Sequence, residues 1–331
     1  MRLSSLGDIV NMAVIFSKLR QRFPDAEIEL LVKKQFKDIV DPNDYNIKIT
    51  PFDSSTGLSG WLNLCREKKE QNFDLFLDMH ANLRSKILGF YLPKVKKLNY
   101  KKPYFKRFFL FNFHINFFSK HYNLVNEYLR VLKPLGIDDQ NIKTEISLTA
   151  EARSGAEELL ERKGVSGKYA VITPISAWGP KRYPLEKFIH ISDYLVQQKG
   201  LPVVWLGGKG DTYLDNLSVD AEKNTVVVGE TTLKESIALL EKAEINISND
   251  TGLPYAAQAV GTPALIIFGP SSRETSAGYV QNGSRTCEID IWCRPCSKGN
   301  RKCFRKKQYC MLHDEKKIFN LIDKILKGVK E

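Results

Sequence analysis

Five apolar runs divide the second half of the chain: YAVITP (169–174), LPVVWLGG (201–208), TVVVG (225–229), EINIS (244–248) and PALIIFG (263–269). Between them lie stretches with helical spacing, such as PLEKFIHISDYLVQQKG and LKESIALLEKA. Runs that are apolar throughout, with no alternation, predict strands buried on both faces. Their alternation with helices predicts a parallel sheet covered on both sides. The first half repeats the pattern less cleanly, with candidate strands EIELLV (27–32), NIKITPF (46–52) and FDLFLD (73–78). Apolar residues at 9, 12, 13, 16 and 19 predict a helix over 8–23, and LVNEYLRVLKPLG (124–136) predicts another, ended by Pro134 and Gly136.

A chain of 331 residues exceeds the usual size of one hydrophobic core. We therefore expect two domains, 1–150 and 151–331, with the boundary in the polar stretch near 138–168, which itself contains a helix over 149–163. The amphipathic run EKKIFNLIDKILKGV (315–329) is expected to form a helix packing back across the domain seam. RLSSLGD reads as the polar loop after a first strand, yet only Met1 precedes it, so that strand is expected upstream of residue 1.

With 43% hydrophobic residues the chain is neither disordered nor fibrous. Its net charge of +12 favours a negatively charged partner: nucleotide, nucleic acid, phosphorylated sugar or membrane surface. No apolar run approaches the roughly 20 residues needed to cross a bilayer, and the N-terminus has no signal-peptide core. A cytoplasmic protein is expected, one that could touch the inner face of a membrane.

In parallel α/β domains ligands gather beyond the carboxyl ends of the strands, where helix N-termini present N–H groups. Four segments have that placement. In LSSLGDIV, Asp8 is either a helix cap or a general base able to take a proton from an attacking hydroxyl. In LDMHANLRSK, His80, Asn82, Arg84 and Lys86 suit an anionic sugar, or form a cap with solvated cations. In TPISAWGPKRYPLEKF, Thr173, Ser176 and Lys181 follow a strand, and hydroxyls beside an ammonium could hold a diphosphate. In SNDTGLPYAA, Asp250 and Thr251 are helix-capping types, and Gly252 permits close backbone approach. No GxxxxGK[ST] loop is present, which disfavours a P-loop NTPase.

Taken in order, RLSSLGDIV, DMHANLRS (78–85), SAWGPKRYP (176–184), SNDTGLPYAA (248–257) and FGPSSRETSAGY (268–279) resemble the bacterial ADP-heptose:lipopolysaccharide heptosyltransferase family, glycosyltransferase family 9. The resemblance spans nearly the whole chain. It implies the GT-B architecture, two Rossmann-like parallel-sheet domains facing a cleft, the first presenting a lipid A–core acceptor and the second holding the nucleotide sugar. It also implies inverting transfer of heptose from ADP-heptose with no cofactor needed for the transfer itself. By the same resemblance Asp8 is the general base, while Lys181, Asp250, Thr251 and Gly252 hold the donor and meet the charge on the departing diphosphate. Tyr255 stands where the family commonly has His, and Tyr183 where it often has Trp, so Tyr255 is a candidate specificity position.

Five of the six cysteines fall between 287 and 310. Cys293, Cys296, Cys303 and Cys310 supply enough thiolates for a structural zinc, with Cys287 and His313 as substitutes. Reduced packed thiols, disulfides and an iron–sulfur site remain the alternatives. Residues 94–107 carry seven basic groups and no acid, and 101–118 contain seven Phe. That region is either a partly buried element or a surface for anionic lipid. The alternative functions are a nucleic-acid-binding protein with a cysteine–metal knuckle around RKCFRKK (301–307), and a noncatalytic member that binds a lipopolysaccharide precursor. Cleft motifs spread over both halves argue against nucleic acid.

Overall fold

The computed structural model describes all residues except 121, 140–141, 216, 276–279, 297–302, 306 and 330–331. The last four residues of FGPSSRETSAGY and part of RKCFRKK therefore lie outside the described residues. The chain divides into two compact units: residues 1–104 with 123–147, and residues 105–122 with 148–331. Residues 105–122 thus leave the first half of the sequence and join the second unit.

In the first unit β1 (Ile28–Lys33) pairs in parallel with β2 (Ile47–Phe52), and β3 (Leu75–Asp78) with β4 (Lys96–Asn99). Residues 1–3 bridge the two pairs. Arg2 N donates to Leu31 O and Lys33 N to Leu3 O on one side, while Met79 N donates to Met1 O on the other, at 3.1–3.2 Å. Leu3, Leu31, Phe52, Trp61 and Phe76 form the core beneath this ladder, with Trp61 edge-on to Phe52.

The second unit is built on β5 (Ala170–Thr173), β6 (Val203–Trp205), β7 (Asn224–Val226), β8 (Ile245–Asn249), β9 (Ala264–Ile267) and β10 (Arg285–Cys287). All pairs are parallel, and the spatial order is β10-β9-β8-β5-β6-β7. In order of occurrence within the unit this is the 3-2-1-4-5-6 pattern of a dinucleotide-binding sheet, whose strand order reverses between the first and fourth strands. Here that point lies between β5 and β8. The five apolar runs form β5 to β9; the side chains of β5, β6, β8 and β9 are almost wholly inaccessible, as double-sided burial requires, while edge strand β7 leaves Val226 exposed.

Helices cover the sheet with the predicted faces. Phe188, Ile191 and Leu195 of Leu185–Lys199 are buried against Ile172, Val203 and Trp205. The terminal helix Glu315–Leu326 buries Ile318, Ile322 and Ile325 in this same core, and Phe319 stacks on Tyr194 at 4.1 Å. It therefore belongs to the second unit's own core, where its apolar stripe fits the strip of sheet beside Leu185–Lys199.

At the strand-order reversal, buried Asn249 ends β8. Its Oδ1 accepts from Tyr183 N at 2.9 Å and its Nδ2 donates to Pro174 O at 2.7 Å, so one amide ties both ends of the loop after β5. Asn249→Ala leaves a buried N–H and a buried C=O without partners. It is expected to cost about 2 kcal/mol and to lower the thermal midpoint by roughly 5 °C. Calorimetry of the full chain checks this; an unchanged midpoint would refute the role given to that amide.

Candidate functional site

Beyond the carboxyl ends of β5, β8 and β9, three loops converge on one buried carboxylate. Asp250 is ion-paired with Lys181 through Oδ2. Ser271 Oγ donates to the same oxygen at 2.7 Å, and Tyr255 OH donates to Oδ1 at 3.1 Å. Lys181 Nζ also reaches Asp250 O at 3.5 Å. The network fixes an ammonium at the rim of the sheet. Beside it the buried Thr251 hydroxyl has no partner among the described residues. Gly252 caps the short helix Leu253–Ala259 in right-handed α conformation.

The other expected donor residues are placed differently. Thr173 lies inside the sheet, where its Oγ1 accepts from Asn246 Nδ2 at 3.3 Å. Ser176 Oγ accepts from Trp178 N at 3.3 Å, and its carbonyl accepts from Arg182 Nε at 2.8 Å, so it shapes the loop that carries Lys181. Tyr255 is 3% exposed, and its hydroxyl is directed at Asp250. At this position the phenol acts as a neutral donor that orients the carboxylate, a task that does not need the charge of an imidazolium. Tyr183 is fully buried and packs edge-on against Phe188 and His313.

Two residues were missed in the sequence. Ser271 lies in a segment quoted for its resemblance, but nothing local distinguishes it from Ser272. Arg294, set between two cysteines, is a clamp. Its guanidinium donates to Gly269 O at 2.5 Å and Ser271 O at 2.6 Å, and it pairs with Glu288 at 2.9 Å. It therefore holds the turn that aims Ser271 at Asp250.

The cysteines correct the zinc expectation. Among the described residues no group of three or more His, Cys, Asp or Glu is placed to hold a metal, and all six cysteines are free. Burial opposes ionisation of the Cys287, Cys296 and Cys310 thiols. Cys296 Sγ donates to Cys293 O at 3.3 Å, and burial raises its pKa. Burial pushes the Cys310 and Cys287 thiols up to about 11, and Cys287 contacts His313 Nδ1 at 3.2 Å. Cys293, Cys296, Cys303 and Cys310 form no such group and instead line the space around the segment that carries Arg294.

In the first unit Asp8 sits in the first turn of the helix Leu6–Met12. Its Oδ2 pairs with Arg2 at 2.7 Å and accepts from Ser5 N and Oγ at 3.1 and 2.8 Å, and Tyr128 OH donates to Oδ1 at 3.3 Å. Burial alone would raise this carboxyl, but Arg2 and Ser5 outweigh it and hold its pKa down to about 2. Helix cap and carboxylate site are therefore the same group. His80 lies close by, and burial, reinforced by Arg2, lowers its pKa to about 4, so it is neutral at physiological pH. Asn82 caps the helix Leu83–Tyr91, its Oδ1 accepting from Ser85 N at 3.1 Å. The Arg84 guanidinium lies over the Phe52 ring at 5.6 Å. Lys86 lines a cavity of about 520 Å³ with Lys97, Lys101, Lys102, Tyr100 and Tyr104. Such a cavity suits a ligand bearing several anionic groups.

Because the folded-state pKa of Asp8 lies below the usual 3.8, its pair with Arg2 stabilises the chain above about pH 4, and that contribution is lost as pH falls toward about 2. Arg2→Met is expected to cost about 3 kcal/mol at neutral pH, measured by urea unfolding. The difference from the parent should shrink as pH drops through that window. A difference independent of pH would show that the ion pair is not its source.

Residues 61–307 match the family described as glycosyltransferase family 9 (heptosyltransferase). The chain is 23% identical over 290 residues to the lipopolysaccharide core heptosyltransferase OpsX of Haemophilus influenzae, covering 84% of this chain and 80% of that protein. Its fold is similar to that of a family 9 glycosyltransferase from Veillonella parvula, with a TM-score of 0.78, 20% identity, and coverage of 98% and 95% of the two chains. It is also similar to Escherichia coli ADP-heptose LPS heptosyltransferase II, with a TM-score of 0.73, 16% identity and 99% coverage of both. The match covers well over half the chain and includes the Lys181–Asp250 network, so this protein, with its two parallel α/β units of GT-B type, belongs to glycosyltransferase family 9.

Proposed function

We propose that this protein transfers a heptose from ADP-heptose to the core of a lipopolysaccharide precursor, with inversion at the anomeric carbon. The observation that carries the reading is the Lys181–Asp250 pair at the point where the strand order of the second unit reverses, the usual position for a nucleotide in such a sheet. Family membership and the names of its relatives support the choice of sugar and acceptor. The lysine-lined cavity of the first unit supports an acceptor carrying anionic groups.

In this mechanism an acceptor hydroxyl attacks the anomeric carbon. The new C–O bond forms as the bond to the diphosphate breaks, and both electrons of that bond leave with ADP. Lys181 meets the charge that develops there, helped by the Thr251 hydroxyl and the backbone at Gly252. Asp250 keeps the ammonium in place, and Ser271 and Tyr255 keep Asp250 in place. Thr173 and Ser176 act by shaping the donor loop. Asp8 takes the hydroxyl proton. A carboxylate with so low a pKa is a weak base, which suits late proton transfer, after bond formation has made the hydroxyl acidic. His80, Asn82, Arg84 and Lys86 serve the acceptor side. Because the acceptor is anchored in lipid, the protein works at the inner face of the inner membrane. No helix among the described residues is long and apolar enough to cross a bilayer.

Purified protein incubated with ADP-heptose and a defined core acceptor should add one heptose, read by mass spectrometry; no addition across a panel of core acceptors would refute the reading. Asp8→Asn is expected to lower kcat by about 10²–10⁴-fold with little change in donor KM. Lys181→Ala is expected to act on the donor, raising its KM as well as lowering kcat. Full activity in the Asp8 variant would remove it from the base role. The acid side of kcat/KM should be free of any Asp8 titration above about pH 4, since that group stays ionised there.

A further inference from the structure

The helix Tyr104–Phe113 buries a single residue, Leu110. Phe105, Phe108 and Phe113 are 66%, 55% and 58% exposed, and Ile115 and Phe117 lie open just beyond. These rings form an ordered raft: Phe105 and Phe117 pack on Phe109 at 4.6 and 5.5 Å, and Phe108 packs on Phe113 at 5.9 Å. The raft is anchored from beneath within the second unit. Arg107 donates to Thr275 O at 3.3 Å, Asn116 Nδ2 to Glu274 at 3.1 Å, and His114 Nδ1 lies 3.1 Å from Arg294 O. His114 also meets Trp292 edge-on at 6.2 Å. Trp292, 67% exposed, continues the surface to exposed Phe304 at 6.1 Å.

We propose that this aromatic surface seats the protein on an anionic phospholipid bilayer. A raft of this size left in water is unfavourable, and patches of its kind mark a surface that is covered in use. The charge around it selects the cover. Residues 79–126 contain no Asp or Glu and ten Lys or Arg, of which Lys106, Arg107 and Lys120 lie in the raft segment. Arg305 sits over the Trp292 ring at 5.8 Å. Exposed aromatic side chains flanked by cations that can reach headgroup phosphates are the composition of an interfacial anchor. A second copy of the chain docked by two-fold symmetry would oppose the same cations; the raft segment carries no carboxylate of its own, and Glu274, which lies against it, is bonded to Asn116. The proposal names the surface behind the membrane placement given above, and its test uses no sugar substrate, so the two can fail separately.

Full-length protein is mixed with vesicles of phosphatidylglycerol and phosphatidylethanolamine, or of phosphatidylcholine alone, and binding is read by sedimentation and tryptophan emission. Binding to the anionic vesicles with a blue shift is expected. The shift should be lost in Trp292→Phe and kept in Trp178→Phe, because Trp61 and Trp205 are fully buried and the half-buried Trp178 lies on the loop that carries Lys181. The triple variant Phe105→Ser, Phe108→Ser, Phe113→Ser is expected to bind at least about tenfold more weakly. It should keep the parent's thermal midpoint and its turnover on a delipidated, water-soluble core acceptor. Lys120→Glu should weaken anionic binding several-fold. Undiminished binding by the triple variant, equal binding to phosphatidylcholine, or no vesicle binding by the parent would overturn the proposal. So would a parent oligomer that the triple variant dissociates while vesicle binding is unchanged.

Discussion

Two adjacent side chains at the end of β8 organise the strand-end loops of the second unit. Asn249 holds both ends of the loop after β5, and Asp250 holds Lys181, Ser271 and Tyr255. All of these groups are substantially withdrawn from water, where an unmatched polar atom is costly and a matched one is stiff. The loops beyond β5, β8 and β9 are therefore fixed by a single polar knot, and Lys181 is held at a defined place before any ligand arrives. A pre-placed cation needs little reorganisation when negative charge develops beside it, which is the physical content of electrostatic catalysis.

The cysteine-rich segment belongs to the same construction. Its spacing suggested a metal, but among the described residues its side chains form no metal-holding group, and its working residue is Arg294. By bonding Gly269 O and Ser271 O, this guanidinium sets the turn that presents Ser271 to Asp250. Gln308 reaches Pro180 O from the same segment, so the loop carrying Lys181 is braced there too. In the first unit Arg2 plays a comparable part, keeping Asp8 ionised although it is half-buried. Each proposed working group thus depends on a neighbour that touches no substrate.

Much of the fold was legible because burial on both faces leaves a plain trace in a sequence. The runs at 169–174, 201–208, 225–229, 244–248 and 263–269 became β5 to β9, and the helical spacings between them became covering helices. The sites of chemistry were legible only as positions after strands. Residue type could not distinguish Thr173, turned into the sheet against Asn246, from Thr251, whose hydroxyl is left without a partner among the described residues. Nor could it tell whether Tyr255 faces a ligand or a carboxylate, since a phenol suits either.

The sequence by itself determined the α/β class, the parallel sheet of the second unit and the strand-end segments where ligands gather, since these follow from local periodicity and turn chemistry. Only the tertiary structure decided which of those side chains meet. Ser271 and Arg294 lie 21 and 44 residues beyond Asp250, and their contacts exist only once β8 and β9 are paired and the following segment folds back. It likewise decided that residues 105–122 join the second unit and that the rings of Phe105, Phe108, Phe113 and Phe117 are exposed. Hydrophobic spacing says how much apolar surface a helix has. Whether that surface is buried depends on what the remainder of the chain brings against it.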